Sequence, residues 1–256
     1  MEPMKNTKKW RNRSFNDVLI EAKRSVEKMS EKQKNELRNK LNHGKAIIDE
    51  EDLLDMYLYC YGDVHRKKLL HAFRGIPWHF FACRPISVID YGSGLGVADM
   101  VLSDYLKSQY ISDDCINEFV LIEPSLLSLR KAINYMQTFM RNAEVWGINE
   151  KVENVEINEI TQRRGHVVHL FSNIIDLPDV DLSRIADGLN RDNENNNLII
   201  CVSPFYQENG RGSKIREFGE KLFRYDLIYN LEKHEEEWDE AISCQIRIYQ
   251  NSCCKN

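Results

Sequence analysis

The segment Asp90-Tyr-Gly92-Ser-Gly94-Leu-Gly96 constrains this chain more than any other. It follows directly on Ile86–Tyr91, a short and partly β-branched apolar run. It precedes a helical face made of Val97, Met100, Val101, Tyr105 and Leu106. Those patterns read as a buried strand, a tight turn and a helix. Glycines let the backbone turn sharply and let a ligand approach where a Cβ would otherwise stand. The helix that follows presents unpaired N–H groups at its first turn.

The same alternation continues along the chain. Phe119 to Ile122 is a buried-type strand, and Ser125 caps a helix with Leu126, Leu129, Ile133, Met136 and Met140 inward. Val152 to Ile157 and His166 to Phe171 are the next strand candidates. Leu182, Ile185, Ala186 and Leu189 mark a helix, and Leu198 to Val202 a continuous apolar strand. Asn190 to Asn197 reads as a polar loop tip. Ile215, Phe218 and Leu222 suit a further helix, and the alternating segments Tyr225 to Leu231 and Ile242 to Tyr249 close the chain. Strands alternating with helices imply an α/β fold with a mainly parallel, seven-stranded sheet covered on both faces. The final two strands have no long helix between them.

Before the first strand the pattern is helical throughout. Ser14 with Asp17, and Ser30 with Gln33, are capping-box starts. Phe15, Val18, Leu19, Ala22, Val26 and Met29 follow the first, and Leu37 and Leu41 the second. Leu53, Leu54, Tyr57, Leu58 and Tyr61 form a third apolar face; Val64, Leu69, Leu70 and Phe73 form a fourth, stopped by Gly75 and Pro77. Gly62 interrupts this pattern between Tyr61 and His65, a spacing that marks a break or a close approach. The organisation is therefore a helical segment over 1–80 and a sheet domain over 81–256.

A chain of 256 residues buries a substantial core. Its formal charge of −5 argues against a general grip on nucleic acid, although Lys5, Lys8, Lys9, Arg11 and Arg13 make a basic head. That N-terminus lacks an apolar stretch of the signal-peptide kind. No run approaches the roughly 20 apolar residues that span a bilayer. Seven cysteines are scattered without CxxC spacing, which fits neither a disulfide framework nor a zinc site. These features together predict a cytoplasmic protein with no bound metal.

A dinucleotide loop has the pattern GxGxxG or GxGxxA and sets a pyrophosphate on the helix N-terminus. Here the third glycine comes one residue early and Val97 holds the sixth position. Asp90 stands where it would repel a pyrophosphate and attract an ammonium. The segment resembles the first motif of the class I S-adenosylmethionine-dependent methyltransferases, an acid-x-Gly-x-Gly-x-Gly loop, at all four specified positions. The resemblance covers roughly residues 84–250 and implies a Rossmann-like fold with S-adenosylmethionine as cofactor.

It assigns the cofactor to Asp90, Tyr91, Gly92, Ser93, Gly94 and Gly96, and the ribose to Glu123, with Pro124 beside it, after the second strand. Asn158 and Glu159, after the Val152–Ile157 segment, take the position that commonly meets the adenine amino group. Ser172, Asn173 and Ile174 follow the next strand, where family members face the sulfonium and the substrate. Two readings are open for Asn173: it points into the pocket, or it caps the turn before Asp176 and Pro178. Ser203-Pro204-Phe205-Tyr206 is similar to the Asn/Asp-Pro-Pro-aromatic motif of amino-group methyltransferases. But Ser203 replaces the amide, one proline is missing, and the motif lies after the fifth strand, so that activity is not transferred. Phe205 and Tyr206 line a substrate cleft or pack under the closing strands.

The catalytic candidates are Asn173, His65 and Tyr206. The leading function is methyl transfer to an acceptor the sequence does not identify. RNA is the acceptor that the basic head, Arg163, Arg164 and Arg211 favour. The alternatives are a non-catalytic cofactor-binding subunit or scaffold, and a nicotinamide-dependent oxidoreductase that would share Glu123. The helical segment is expected to cover the cofactor pocket, with Tyr61 and His65 as a lid.

Overall fold

Side-chain caps start the N-terminal helices where the sequence places them. Ser14 and Ser30 each complete a capping box, opening α1 (Phe15–Glu27) and α2 (Glu31–Lys40). The structure, a computed structural model, describes residues 13–82, 85–160, 165–192, 194–204, 213–233 and 243–251. Next, α3 (Glu51–Tyr57) passes through a π-helical stretch, Leu58–Gly62, into α4 (Asp63–Arg74). Gly62 therefore does not break the helix; its φ of −58° and ψ of −44° are helical. Its role is close approach, because a Cβ there would collide with the Leu19 side chain of α1.

The sheet domain then runs β1 (Ile86–Tyr91), α5 (Val97–Ser108), β2 (Ile116–Ile122), α6 (Leu126–Phe139) and β3 (Glu144–Ile148). It continues with α7 (Ile157–Ile160), β4 (His166–Ser172), α8 (Leu182–Arg191) and β5 (Asn196–Ser203). The last elements are α9 (Ser213–Lys221), β6 (Tyr225–Lys233) and β7 (Cys244–Asn251). The strand order is β3-β2-β1-β4-β5-β7-β6. Neighbours among the first five are parallel, whereas β7 is antiparallel to both β5 and β6. The sheet is thus mixed. A parallel pair needs a crossover, usually a helix, and β6 and β7 are not linked by one among the described residues.

Two sequence expectations are corrected. The third strand is Glu144–Ile148, not Val152–Ile157. Val152, Val155 and Ile157 are buried, but they lie on a 3-10 turn and the start of α7. The stretch Asn190–Asn197 is a connection only in its middle. Its ends are the end of α8 and the start of β5, and Asn190, Asn195 and Asn197 are buried rather than at an exposed tip. The Asn197 amide donates to Asp192 and to the Tyr225 hydroxyl.

Strand side chains alternate between faces, and the two apolar clusters follow that alternation. Ile86, Val88, Phe119, Leu121, Val168 and Leu170 face α1 to α6. Ile89, Val120, Val167 and Phe171 face α7, α8 and α9. Helix α4 packs directly on α5, β5 and β7. Its Leu69, Ala72 and Phe73 are buried in the same cluster as the sheet face, and burying a Leu or Phe stabilises the fold by about 1.5–3 kcal/mol. No helix among the described residues is long and apolar enough to cross a membrane.

Candidate functional site

The order of the parallel strands reverses direction between β1 and β4. In open α/β sheets the crevice outside the strand ends at such a switch point receives the ligand. The ends of β1, β2 and β4 bring the glycine loop, Glu123, Ser172 and Asn173 to that edge. Asp90 and Glu123 share the alternation phase of Val88 and Leu121, so both carboxyls face α5 and the N-terminal helices.

The loop is tied down by its own backbone. The amides of Gly92 and Ser93 both donate to the Ile122 carbonyl at 2.9 Å, and Gly96 donates to Ser93 at 2.8 Å. Gly92, Gly94 and Gly96 all have positive φ, +71°, +53° and +69°. At Gly92 an added Cβ would stand 2.7 Å from Ile174, whereas at Gly94 it would meet nothing within 4 Å. Gly94 therefore turns an open backbone face to the crevice. Glu123 braces it: one carboxylate oxygen accepts from the Gly94 amide at 3.0 Å, the other from the Ser125 amide at 2.9 Å. Burial raises the Glu123 pKa, and those two amides oppose the rise. Asn149, just after β3, donates to the carbonyls of Glu123 and Pro124 at 3.0 and 2.9 Å.

Below the loop, Asp90 and Asp99 form a buried carboxyl pair. Asp90 Oδ1 and both Asp99 oxygens find no donor outside the pair among the described residues. Burial pushes both pKa values up, that of Asp99 to about 6. Facing Asp99 raises Asp90 further, so one proton stays between them. A buried acid pair without a positive partner fits an incoming ammonium.

The N-terminal helices close the other side. The π-helical stretch lies between Tyr57 and His65, whose rings stack at 5.9 Å. The Tyr57 hydroxyl lies 3.4 Å from His65 Nε2, and Asn173 Nδ2 lies 2.8 Å from His65 Nδ1. Asn173 Nδ2 also donates to Ser172 Oγ at 3.0 Å, while Asn173 Oδ1 accepts from Lys68 Nζ at 2.8 Å. Asn173 has φ +60°, and its amide donates to the Val202 carbonyl at 2.7 Å. Burial lowers the His65 pKa to about 3, with Lys68 adding to the effect. The imidazole is neutral at physiological pH, and a Nδ1 that accepts from Asn173 leaves the proton on Nε2. The turn at Gly44 lies against the Tyr57 and Tyr61 rings, and Ser125 Oγ donates to the Ile48 carbonyl.

The structure thus brings together Asp90, Gly92, Ser93, Gly94, Gly96, Glu123, Ser172, Asn173 and His65, with Pro124 at the rim. The Tyr91 ring turns away: it stacks on Phe171 at 4.3 Å and reaches His169 with its hydroxyl. Glu159 lies on α7 rather than directly at the end of the third strand, and the Asn158 side chain lies outside the described residues. So do Phe205, Tyr206, Arg163, Arg164 and Arg211. The turn reading of Asn173 receives no hydrogen bond from its side chain to Asp176; the carboxamide faces the N-terminal helices instead. The sequence reading missed Lys68, Asp99 and Asn149.

No protein-family model matches the sequence, and no curated protein matches it. Solved structures do match its fold. The small RNA methyltransferase HEN1 superposes with a TM-score of 0.53 at 10% identity, over 75% of this chain and 26% of that one. A methyltransferase structure from Pseudomonas syringae gives a TM-score of 0.47 at 11% identity, over 73% and 97%. A SAM-dependent methyltransferase from Leishmania major gives 0.47 at 11%, over 84% and 82%. The chain has the Rossmann-like fold of the class I S-adenosylmethionine-dependent methyltransferases.

Proposed function

We propose that this protein transfers a methyl group from S-adenosylmethionine, and that its N-terminal helices form one wall of the transfer site. The observation that carries the reading is the pairing of an open glycine backbone with three acids on one edge. Asp90, beside Asp99, would hold the cofactor's ammonium, and Glu123 would accept from its ribose hydroxyls while bracing Gly94. The bound cofactor supplies an electrophilic methyl on a sulfonium. The protein's part is to orient the acceptor in line with it, exclude water and match charge.

Asn173 stands at the β4 end, where the acceptor would meet that methyl. Lys68 and His65 fix its carboxamide from either side. His65 is too weak a base to take a proton near neutral pH, so it acts by positioning Asn173 and Tyr57. RNA remains a second reading of the acceptor, favoured by the name of HEN1 and the basic residues of the sequence.

Transfer of a radiolabelled methyl group from S-adenosylmethionine into RNA, protein and small-molecule fractions of a cell extract tests the proposal. Label in one fraction, lost in Gly94→Val, supports an enzyme. Binding of the cofactor with no label in any fraction would favour a cofactor-binding subunit.

A further inference from the structure

Lys68 helps to fix the Asn173 carboxamide, a task that does not by itself require a buried charge. Its side chain leaves α4, nearly two turns beyond the π-helical stretch, and is 3% exposed. Its hydrogen-bond partner is the neutral Asn173 carboxamide, at 2.8 Å. Among the described residues no carboxylate reaches its Nζ within ion-pair distance; Cys244 and, after it, Asp176 are the ionisable groups that favour its charge from further away. Burial lowers its pKa only to about 8, so the ammonium persists at neutral pH. A buried cation with a neutral acceptor alone is costly. Ionisable groups with perturbed pKa values cluster at functional sites.

We propose that Lys68 is the acceptor's anion subsite: it selects an acceptor whose attacking atom is an oxygen already ionised on entry, a carboxylate or phenolate. This rests on the methyltransferase reading above. The anion would sit at Asn173, between two positive centres, the Lys68 ammonium and the cofactor's sulfonium. As the oxygen–carbon bond forms, the carbon–sulfur bond breaks and its electron pair stays on sulfur. The oxyanion and the sulfonium are both neutralised, and no proton is left to remove. That balance agrees with a site whose imidazole at Asn173 is held neutral and weakly basic.

Acetate tests this, because it is small enough to enter whatever the full acceptor's shape. The whole protein is first titrated with S-adenosylhomocysteine by calorimetry. The saturated complex is then titrated with acetate, and separately with its neutral isostere acetamide, at constant ionic strength, by NMR line broadening. Acetate should bind at least about tenfold more tightly than acetamide. Lys68→Met should remove that preference while leaving the S-adenosylhomocysteine affinity within about twofold, and Lys68→Arg should keep it. Equal binding of acetate and acetamide, or an unchanged preference in folded Lys68→Met, overturns the proposal and leaves the methyltransferase reading standing. Failure of the wild-type protein to bind S-adenosylhomocysteine overturns both. Should Lys68→Met not fold, the wild-type comparison of acetate with acetamide decides alone.

Discussion

Gly94→Val separates the site from the fold more cleanly than any other change in the loop. Gly94 has φ +53°, and an added Cβ meets no atom within 4 Å. The fold therefore loses no packing, and the cost is backbone strain. A non-glycine residue in the left-handed region costs about 1–2 kcal/mol, and a β-branched one lies at the upper end. In a chain of this size each kcal/mol lowers Tm by about 2–4 °C, so the variant should melt about 2–8 °C lower and remain folded. The new methyl groups would occupy the space the cofactor needs, so S-adenosylhomocysteine affinity should fall by at least about 100-fold. Gly92→Val is the contrast, since its Cβ would press on Ile174 at 2.7 Å and disturb packing as well. Calorimetry and a thermal melt read the two effects separately. Normal cofactor affinity in folded Gly94→Val would show that the loop is not the site.

Three further outcomes follow from the same geometry. Glu123→Ala removes a charged acceptor from the ribose position and from the Gly94 and Ser125 amides; cofactor affinity should weaken about 10- to 150-fold by calorimetry, and an unchanged Kd would return Glu123 to a structural role. The raised pKa values of Asp90 and Asp99 mean that the folded protein holds a proton the unfolded chain releases, so stability without cofactor should fall as pH rises from about 4 through the raised values of the pair, that of Asp99 being about 6. An ammonium beside the pair favours its ionised form, so S-adenosylhomocysteine should bind more tightly at pH 7 than at pH 5; a flat profile between them contradicts the assignment. A chain beginning at residue 81 should fail to fold, because Leu69, Ala72 and Phe73 share the core cluster of the sheet face; cooperative melting of that fragment by circular dichroism would refute this.

The glycine loop was legible because tight turns and cofactor approach demand particular residues at particular positions, and Gly92, Gly94 and Gly96 all take positive φ. Glu123 was legible from its place after an apolar strand. The third strand was not: Glu144–Ile148 is an edge strand, half-buried or exposed along its length, and carries no apolar run. Val152, Val155 and Ile157 imitate a strand because each is buried from a turn or a helix start. Lys68 was hidden by its type, since a lysine in a helix ordinarily reads as solvent-facing. Asp99, in the first turn of α5, reads as a favourable helix-terminus charge rather than half of a buried pair. Gly62 marked the right place by the second of its two readings, close approach: the helix continues, and the π-helical stretch that Gly62 ends lies between Tyr57 and the His65 and Lys68 that reach Asn173.

Calorimetric titration of the whole wild-type protein with S-adenosylhomocysteine, and in parallel with NAD, tests the central claim most directly. The acids at Asp90, Asp99 and Glu123 and the open face at Gly94 predict one site per chain with micromolar affinity for S-adenosylhomocysteine and no heat from NAD. Binding of NAD without binding of S-adenosylhomocysteine would contradict it.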